Sequence, residues 1–294
     1  MSDEDPSTFQ RILVALDASP HSRAALDAAV RFARDFGAEL KGLFVQEETL
    51  LRTAQLPFAQ EVRSYTSAPV GLDDRRMKRQ LRYRAEYAEW SLQQLAEDAE
   101  VPYDFEVVEG EVTRVLLDAA PDADLLVLGK TSTASSRRRL GTTSRRILSS
   151  AASNVLVLRD ALTDSEPILT FYDGSESAER ALAFAVMLSD RAHGRLTVLL
   201  PREGEIDADR LASDLRRRRS DPTPSVVVRP VPRAETLRLS AFARRKQGLV
   251  VFPAECTPLR SAPIHKFLYE IDRPLLVVRD RAAEPVEAEG EDAS

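Results

Sequence analysis

The sequence predicts an α/β protein of two tandem, doubly wound domains, each built on a five-stranded parallel sheet, with the second copy shortened. Three observations carry this. Continuous apolar runs such as Ile12-Leu13-Val14-Ala15-Leu16 have the pattern of strands buried on both faces, and they alternate with segments of helical periodicity. The opening pattern then recurs. Ile168-Leu169-Thr170-Phe171-Tyr172-Asp173 aligns without gaps on Ile12 to Asp17, Ser175 falls on Ser19, and Ala181, Leu182 and Ala185 match Ala25, Leu26 and Ala29. Third, Leu125-Leu126-Val127-Leu128-Gly129 reads as a buried strand that ends in Gly, followed by a Ser/Thr/Arg-rich loop and Leu140-Gly141-Thr142-Thr143 before a helical pattern. A strand feeding a helix start in this way leaves backbone N–H groups and the positive end of the helix dipole for an anion.

Taken in order, Asp17 ends the first strand, Ser19 reads as an N-cap and Pro20 as the first helical position. Ala25, Ala29, Phe32 and Phe36 continue at helical spacing until Gly37, and Leu40 to Val45 is the second strand. These three elements form a right-handed parallel βαβ unit. Residues 47–76 carry large apolar side chains, Leu50, Leu51, Leu56, Phe58 and Tyr65, with little periodicity, and read as a long functional insertion. A helix is expected from Met77 to Ala99, a strand from Tyr103 to Val108, a short helix from Val112 to Ala120 and a helix from Ser144 to Ala152. Val155 to Leu158 is the fifth strand. Its match in the second copy, Leu275 to Val278, lies at a smaller offset than the opening strands, which is why the second copy is shorter. The expected division is a tail over 1–9, a first domain over 10–160, a second over 166–280, and a disordered Glu/Ala-rich tail over 281–294.

Composition narrows the function. The chain has 294 residues, of which 43% are hydrophobic and 30% charged, enough for two ordinary cores. A single cysteine, Cys256, excludes a disulfide framework and a cysteine-based zinc site, and His21, His193 and His265 lack ligand spacing. A net charge of −6 argues against a dedicated nucleic-acid binder, and the run Arg216 to Arg219 reads as solvated surface. The acidic start, Met1 to Asp5, differs from a signal peptide and no apolar run is long enough for a membrane span, so the expected location is the cytoplasm.

The strand-to-acid turn Val14-Ala15-Leu16-Asp17-Ala18-Ser19, its repeat at Asp173, and the Gly loop after the fourth strand resemble the universal stress protein family in its tandem form. The resemblance runs from about Gln10 to Asp280 and implies an adenine nucleotide alpha hydrolase-like fold. It implies that Asp17 and Val45 contact adenine and ribose, while Gly129, Ser132, Gly141, Thr142 and Thr143 wrap the phosphates of ATP or ADP, with Mg a possible companion. The family's loop has the form G-x2-G-x9-G-[ST]. Here Ser132 stands at the second Gly, and Gly129 to Gly141 encloses one residue fewer. Arg137, Arg138, Arg139, Arg145 and Arg146 flank this loop, either as phosphate clamps or as a solvated helix face. The resemblance also implies that the two last strands face one another as an internal dimer.

Asp17 has a second reading, as a carboxylate kept beside a helix start for capping alone. The second copy retains Asp173, but its fourth strand runs into Pro253-Ala254-Glu255-Cys256-Thr257-Pro258, and Pro201 stands near the place of Val45. No nucleotide is expected there. Three functions remain in view: a nucleotide-responsive stress protein that engages a protein partner, an interaction module of the same family without nucleotide, and a slow ATPase. The last ranks lowest, because no His, Cys or paired carboxylates are arranged for acid–base work. Association into a homodimer is left open.

Overall fold

A computed structural model describes residues 9–47, 60–63, 66–71, 74–129, 141–158, 161–162, 167–191, 194–201, 206–218, 226–231, 248–254 and 273–279. Ser132, Arg137 to Arg139, Glu255 to Pro258, the apolar residues of the insertion and the tail over 281–294 lie outside the described residues.

In the first half the strands are β1 (Arg11–Leu16), β2 (Glu39–Glu47), β5 (Tyr103–Gly110), β6 (Leu125–Gly129) and β7 (Asn154–Leu158). They are joined by helices α1 (Pro20–Phe36), α2 (Asp74–Asp98), α3 (Val112–Ala119) and α4 (Thr142–Ser150). The second half supplies β8 (Ile168–Phe171), α5 (Glu176–Arg191), β9 (Leu196–Pro201), α6 (Ala208–Arg218), β10 (Val226–Val231), β11 (Leu249–Pro253) and β12 (Leu275–Val278). Each half orders its strands in the same doubly wound way, β5-β2-β1-β6-β7 and β10-β9-β8-β11-β12, and the described residues form one ten-stranded sheet. All its pairings are parallel except the seam, where β12 runs antiparallel to β7 with Leu276 opposite Leu156.

The seam explains why two layers of apolar side chains run the length of the molecule. Leu156 and Leu276 belong to one layer with the inner faces of α1 and α5, and Val155, Val157, Leu275 and Val277 belong to the other. Phe9 reinforces the first layer. Its ring stacks on Phe184 of α5 at 5.0 Å and packs against Phe36 of α1 at 4.7 Å, and it is only 2% exposed. The boundary expected at residue 10 therefore cuts off a core residue, because a lone aromatic in a polar stretch has no periodicity to reveal it. Asn154 completes the join, donating Nδ2–H to the Asp124 carbonyl at 2.8 Å and accepting the Arg279 N–H at 2.9 Å.

Local signals place the helix ends. Ser19 caps α1 by accepting the Ser22 N–H at 3.1 Å, and Gly37 closes it at φ 67°. α2 begins at Asp74, earlier than expected, and α4 begins at Thr142 with Gly141 as its N-cap. The insertion is also more ordered than its sequence suggests. It contains an antiparallel pair, β3 (Gln60–Arg63) and β4 (Thr66–Gly71), with a register shift between Glu61 and Arg63. Strands this short, interrupted by a bulge and by Pro69, do not show the alternation that identifies longer ones.

Replacing Asn154 with Ala leaves one carbonyl and one N–H at the seam without their partner. Loss of about 1–3 kcal/mol is expected on denaturant unfolding. Unchanged stability would show that the seam holds without this bridge.

Candidate functional site

The carboxyl ends of β1, β2 and β6 open on a cavity of about 280 Å³. This is the end of a doubly wound sheet where ligands lie, since the chain diverges there and helix starts point inward. Asp17, Val45, Gly129 and Thr143 all line it, so four of the residues chosen from sequence come together. Gly141 and Thr142 stand next to Thr143 at the start of α4, and Asp173 lies in the other half. The floor is apolar, from Leu16, Phe44, Leu116 and Leu128.

The β1-to-α1 turn is held by its own hydrogen bonds. Asp17 Oδ1 accepts the Ser19 N–H at 2.9 Å, and the Asp17 N–H donates to Ser22 Oγ at 3.1 Å. One carboxylate oxygen therefore has a structural duty, as the capping reading requires. Between them Ala18 takes φ 59°, a left-handed conformation that an L side chain adopts at a cost of roughly 1–2 kcal/mol. The second copy has Gly174 at the matching position, at φ 81°.

Gly129 also has a structural reason. A Cβ there would lie 2.7 Å from the backbone C and O of His21 and 2.9 Å from the Ser22 nitrogen, so glycine is what lets the end of β6 pass under the first turn of α1. At the start of α4 the N-cap is Gly141, which has no side chain to cap the helix, and the first turn carries no acid. Thr143 and Ser144 of its first turn line the cavity, and the first N–H groups of a helix have no partner within it. Arg145 and Arg146 follow within the next turn.

Sequence spacing did not reveal Glu47, Arg84 or Ser144, all of which line the cavity. Arg84 is the cationic side chain among the described lining residues and comes from α2, on the flank of the Leu81-Ala85-Ala88 stripe. Only the tertiary crossing of α2 over β2 brings it here. That crossing is close: a Cβ on Gly42 would meet Leu92 Cδ2 at 2.6 Å. At the cavity's α3 side, Glu111 caps the helix by accepting the Thr113 and Arg114 N–H groups at 3.0 Å each, and its hydrogen bond with the Thr113 side chain, followed by these backbone bonds, holds its carboxyl below the usual glutamate range.

A larger groove of about 640 Å³ lies at the amino ends of β1, β2 and β5, lined by Arg11, Glu39, Lys41, Asp104 and Asp122. It is a stretch of sheet face that short α3 leaves uncovered. Lys41 Nζ meets Glu106 at 2.6 Å there, which holds the ammonium above its ordinary range. This is a solvated ladder of charges on the wrong end of the strands for helix-start chemistry.

In the second half Asp173 repeats the turn, with Oδ1 accepting from the Ser175 N–H at 3.0 Å and from its hydroxyl at 2.6 Å. Ile206 packs against the turn, its Cδ1 lying 3.1 Å from where a Gly174 Cβ would be. Pro201 and Pro253 end β9 and β11 and bring no N–H to this end. Among the described residues no group of three His, Cys, Asp or Glu side chains could hold a metal ion, and no helix is long and apolar enough to cross a membrane.

Comparison with known proteins follows this geometry. The family model described as "Universal stress protein family" matches residues 8–159. The solved structure of a universal stress protein from Archaeoglobus fulgidus DSM 4304 aligns with 92% of this chain and 98% of its own, at TM-score 0.60 and 16% identity. A putative universal stress protein from Pseudomonas aeruginosa UCBPP-PA14 aligns with 94% of this chain and 95% of its own, at TM-score 0.59 and 13% identity. At such identities the likeness is one of fold. Comparison with curated proteins returns no match.

Two substitutions separate structural from binding roles in the turn. Ala18→Gly relieves the left-handed strain and is expected to raise stability by about 0.5–1 kcal/mol, the relief exceeding glycine's entropic cost. Gly129→Ala forces β6 away from the first turn of α1 and is expected to cost about 1–3 kcal/mol with no ligand present. Equilibrium urea unfolding measures both, and an unchanged midpoint for Gly129→Ala would show that the contact with His21 yields freely.

Proposed function

Because the chain belongs to the universal stress protein family, we propose that its first half binds an adenine nucleotide, ATP or ADP, and that occupancy alters how the protein engages a partner. The observation that supports this most is the convergence of Asp17, Val45, Gly129 and Thr143 on one cavity beside a helix start whose N-cap is Gly141. A volume of about 280 Å³ is at the lower end of ligand sites, which run from roughly 300 Å³. It suits the base and sugar of a nucleoside, with the phosphates at the α4 side. Asp17 would accept a hydrogen bond from the exocyclic amine or a ribose hydroxyl through the carboxylate oxygen not used in the turn. Val45 and the apolar floor would cover the base. The α4 N–H groups, the Thr142 and Thr143 hydroxyls and Arg84 would meet the phosphates, and any Mg would arrive on those phosphates rather than in a protein cage. Ser132, in the family's second Gly position, would contribute a hydroxyl.

Coupling to a partner would begin at Glu47. This residue lines the cavity, is the last residue of β2 and is also the first of the insertion. A ligand that changes the surroundings of Glu47 therefore acts on the start of that segment. The reading assigns no catalytic residue. Cytoplasmic residence and a role in a stress response are part of the same proposal.

A second reading has one observation in its favour. Gly129 and Asp17 each have a structural duty that needs no ligand, so both would persist in a family member that only binds proteins.

Calorimetric titration with Mg-ATP and ADP decides between them. Binding is expected at about one site per chain, weakened at least about ten-fold by Asp17→Ala, which removes a charge-assisted hydrogen bond, and abolished by Gly141→Asp, which sets a carboxylate against the phosphates. No heat from folded, nucleotide-free protein would transfer the assignment to the interaction module.

A further inference from the structure

The longest helix carries a feature that neither the sheet nor the cavity uses. α2 buries Leu81, Ala85, Ala88, Leu92 and Ala96, while Tyr83, Tyr87 and Trp90 stand 68%, 44% and 53% exposed. The ring centroids of Tyr87 and Trp90 are 6.0 Å apart, so the outward face holds a continuous aromatic patch. The residues around it follow a pattern. Arg76, Gln80, Tyr83, Tyr87, Trp90, Gln94 and Glu97 succeed one another at alternating spacings of four and three, the repeat of a coiled-coil seam, and all are exposed. The inner stripe packs on β2 and β5, so this is a second seam turned outward.

The seam is a palindrome in chemistry. About Tyr87, Tyr83 is balanced by Trp90, Gln80 by Gln94, and the cation Arg76 by the anion Glu97. Beyond Asp74, its first residue, charge is segregated along the helix. Arg75, Arg76, Lys78, Arg79, Arg82 and Arg84 fall before the middle, whereas Glu86, Glu89, Glu97 and Asp98 fall after it. A basic start and an acidic end oppose the helix dipole, so helix stability does not account for the arrangement.

We propose that this face pairs two copies of the chain, α2 against α2, antiparallel about Tyr87. An antiparallel copy of the same helix offers an aromatic centre, polar flanks and opposite charge at both ends together, which a parallel copy does not. The Glu-rich stretch from Glu284 to Asp292 matches the basic end alone. Arg76 of each copy then meets Glu97 of the other, Tyr83 meets Trp90, and the two Tyr87 rings meet on the axis. The contact is isologous and closes at two copies. It leaves the cavity and the β7–β12 seam untouched, so it stands independently of the nucleotide reading.

Sedimentation velocity on the full chain tests this across protein and salt concentration. The expected result is a monomer–dimer equilibrium that weakens with salt. Arg76→Glu and Glu97→Lys each turn two attractive pairs into repulsive ones and should each raise the dissociation constant roughly ten-fold, as two surface pairs do. Both changes favour the helix dipole, and Glu97→Lys forfeits only exposed hydrogen bonds from Gln93 and Tyr103, so neither should unfold α2. An equimolar mixture of the two variants should regain wild-type affinity as a heterodimer; in a parallel register neither single change would weaken the dimer and the mixture would bind more tightly than wild type. Trp90→Ala should weaken the dimer about thirty-fold, as loss of a central aromatic anchor does. A chain that stays monomeric at every concentration, or a dimer indifferent to these substitutions, overturns the proposal.

Discussion

The antiparallel pairing of β7 with β12 is the constraint on which the rest of the molecule depends. A parallel doubly wound sheet leaves its last strand as an edge, and both faces of that edge are apolar here, Val155 to Leu158 and Leu275 to Val278 all being buried. Joining the two last strands removes both edges at once and fuses the apolar layers of the two halves. What remains exposed is the pair of outer strands, and each is blunted. β5 carries Asp104, Glu106 and Glu109, while β10 carries Arg229 and Pro230. The crevice in the first half inherits its rigidity from this arrangement, since β6, which carries Gly129, is bonded directly to β7.

Much of the fold was legible in the chain because both-face burial writes itself as uninterrupted Leu, Ile and Val. Leu125 to Leu128 and Val155 to Leu158 could be read as strands without any neighbour being known. Capping chemistry was equally direct at Ser19, Pro20 and Gly37. The hairpin of the insertion was not legible, because its pairing is set by two four- and six-residue strands facing each other rather than by a pattern within either. Phe9 was missed for a related reason, since its burial depends on α5, contributed by the other half.

The site was legible in part. Residues at strand ends could be placed because a doubly wound sheet fixes where those ends gather, which is how Asp17, Val45 and Gly129 were found. Arg84 could not be, as its place depends on how α2 crosses Gly42. The turn also held reasons the sequence did not spell out: Gly129 serves close helix–strand packing, and Ala18, which no pattern singled out, bears the local strain.

The two turns after β1 and β8 show how covalent linkage has let the halves diverge. In a symmetric pair of separate chains, any change in one crevice appears in both. Here the seam must keep matched strands in both halves, whereas Ile206 over Gly174 and the prolines ending β9 and β11 affect one crevice alone. The two parts of the second half are thus under unequal demands: its seam strand answers to the whole sheet, whereas its crevice can change without altering the first. Substitutions should accumulate accordingly, freely around Asp173 and sparsely between Leu275 and Val278, so that the second half ages into a wall for the first.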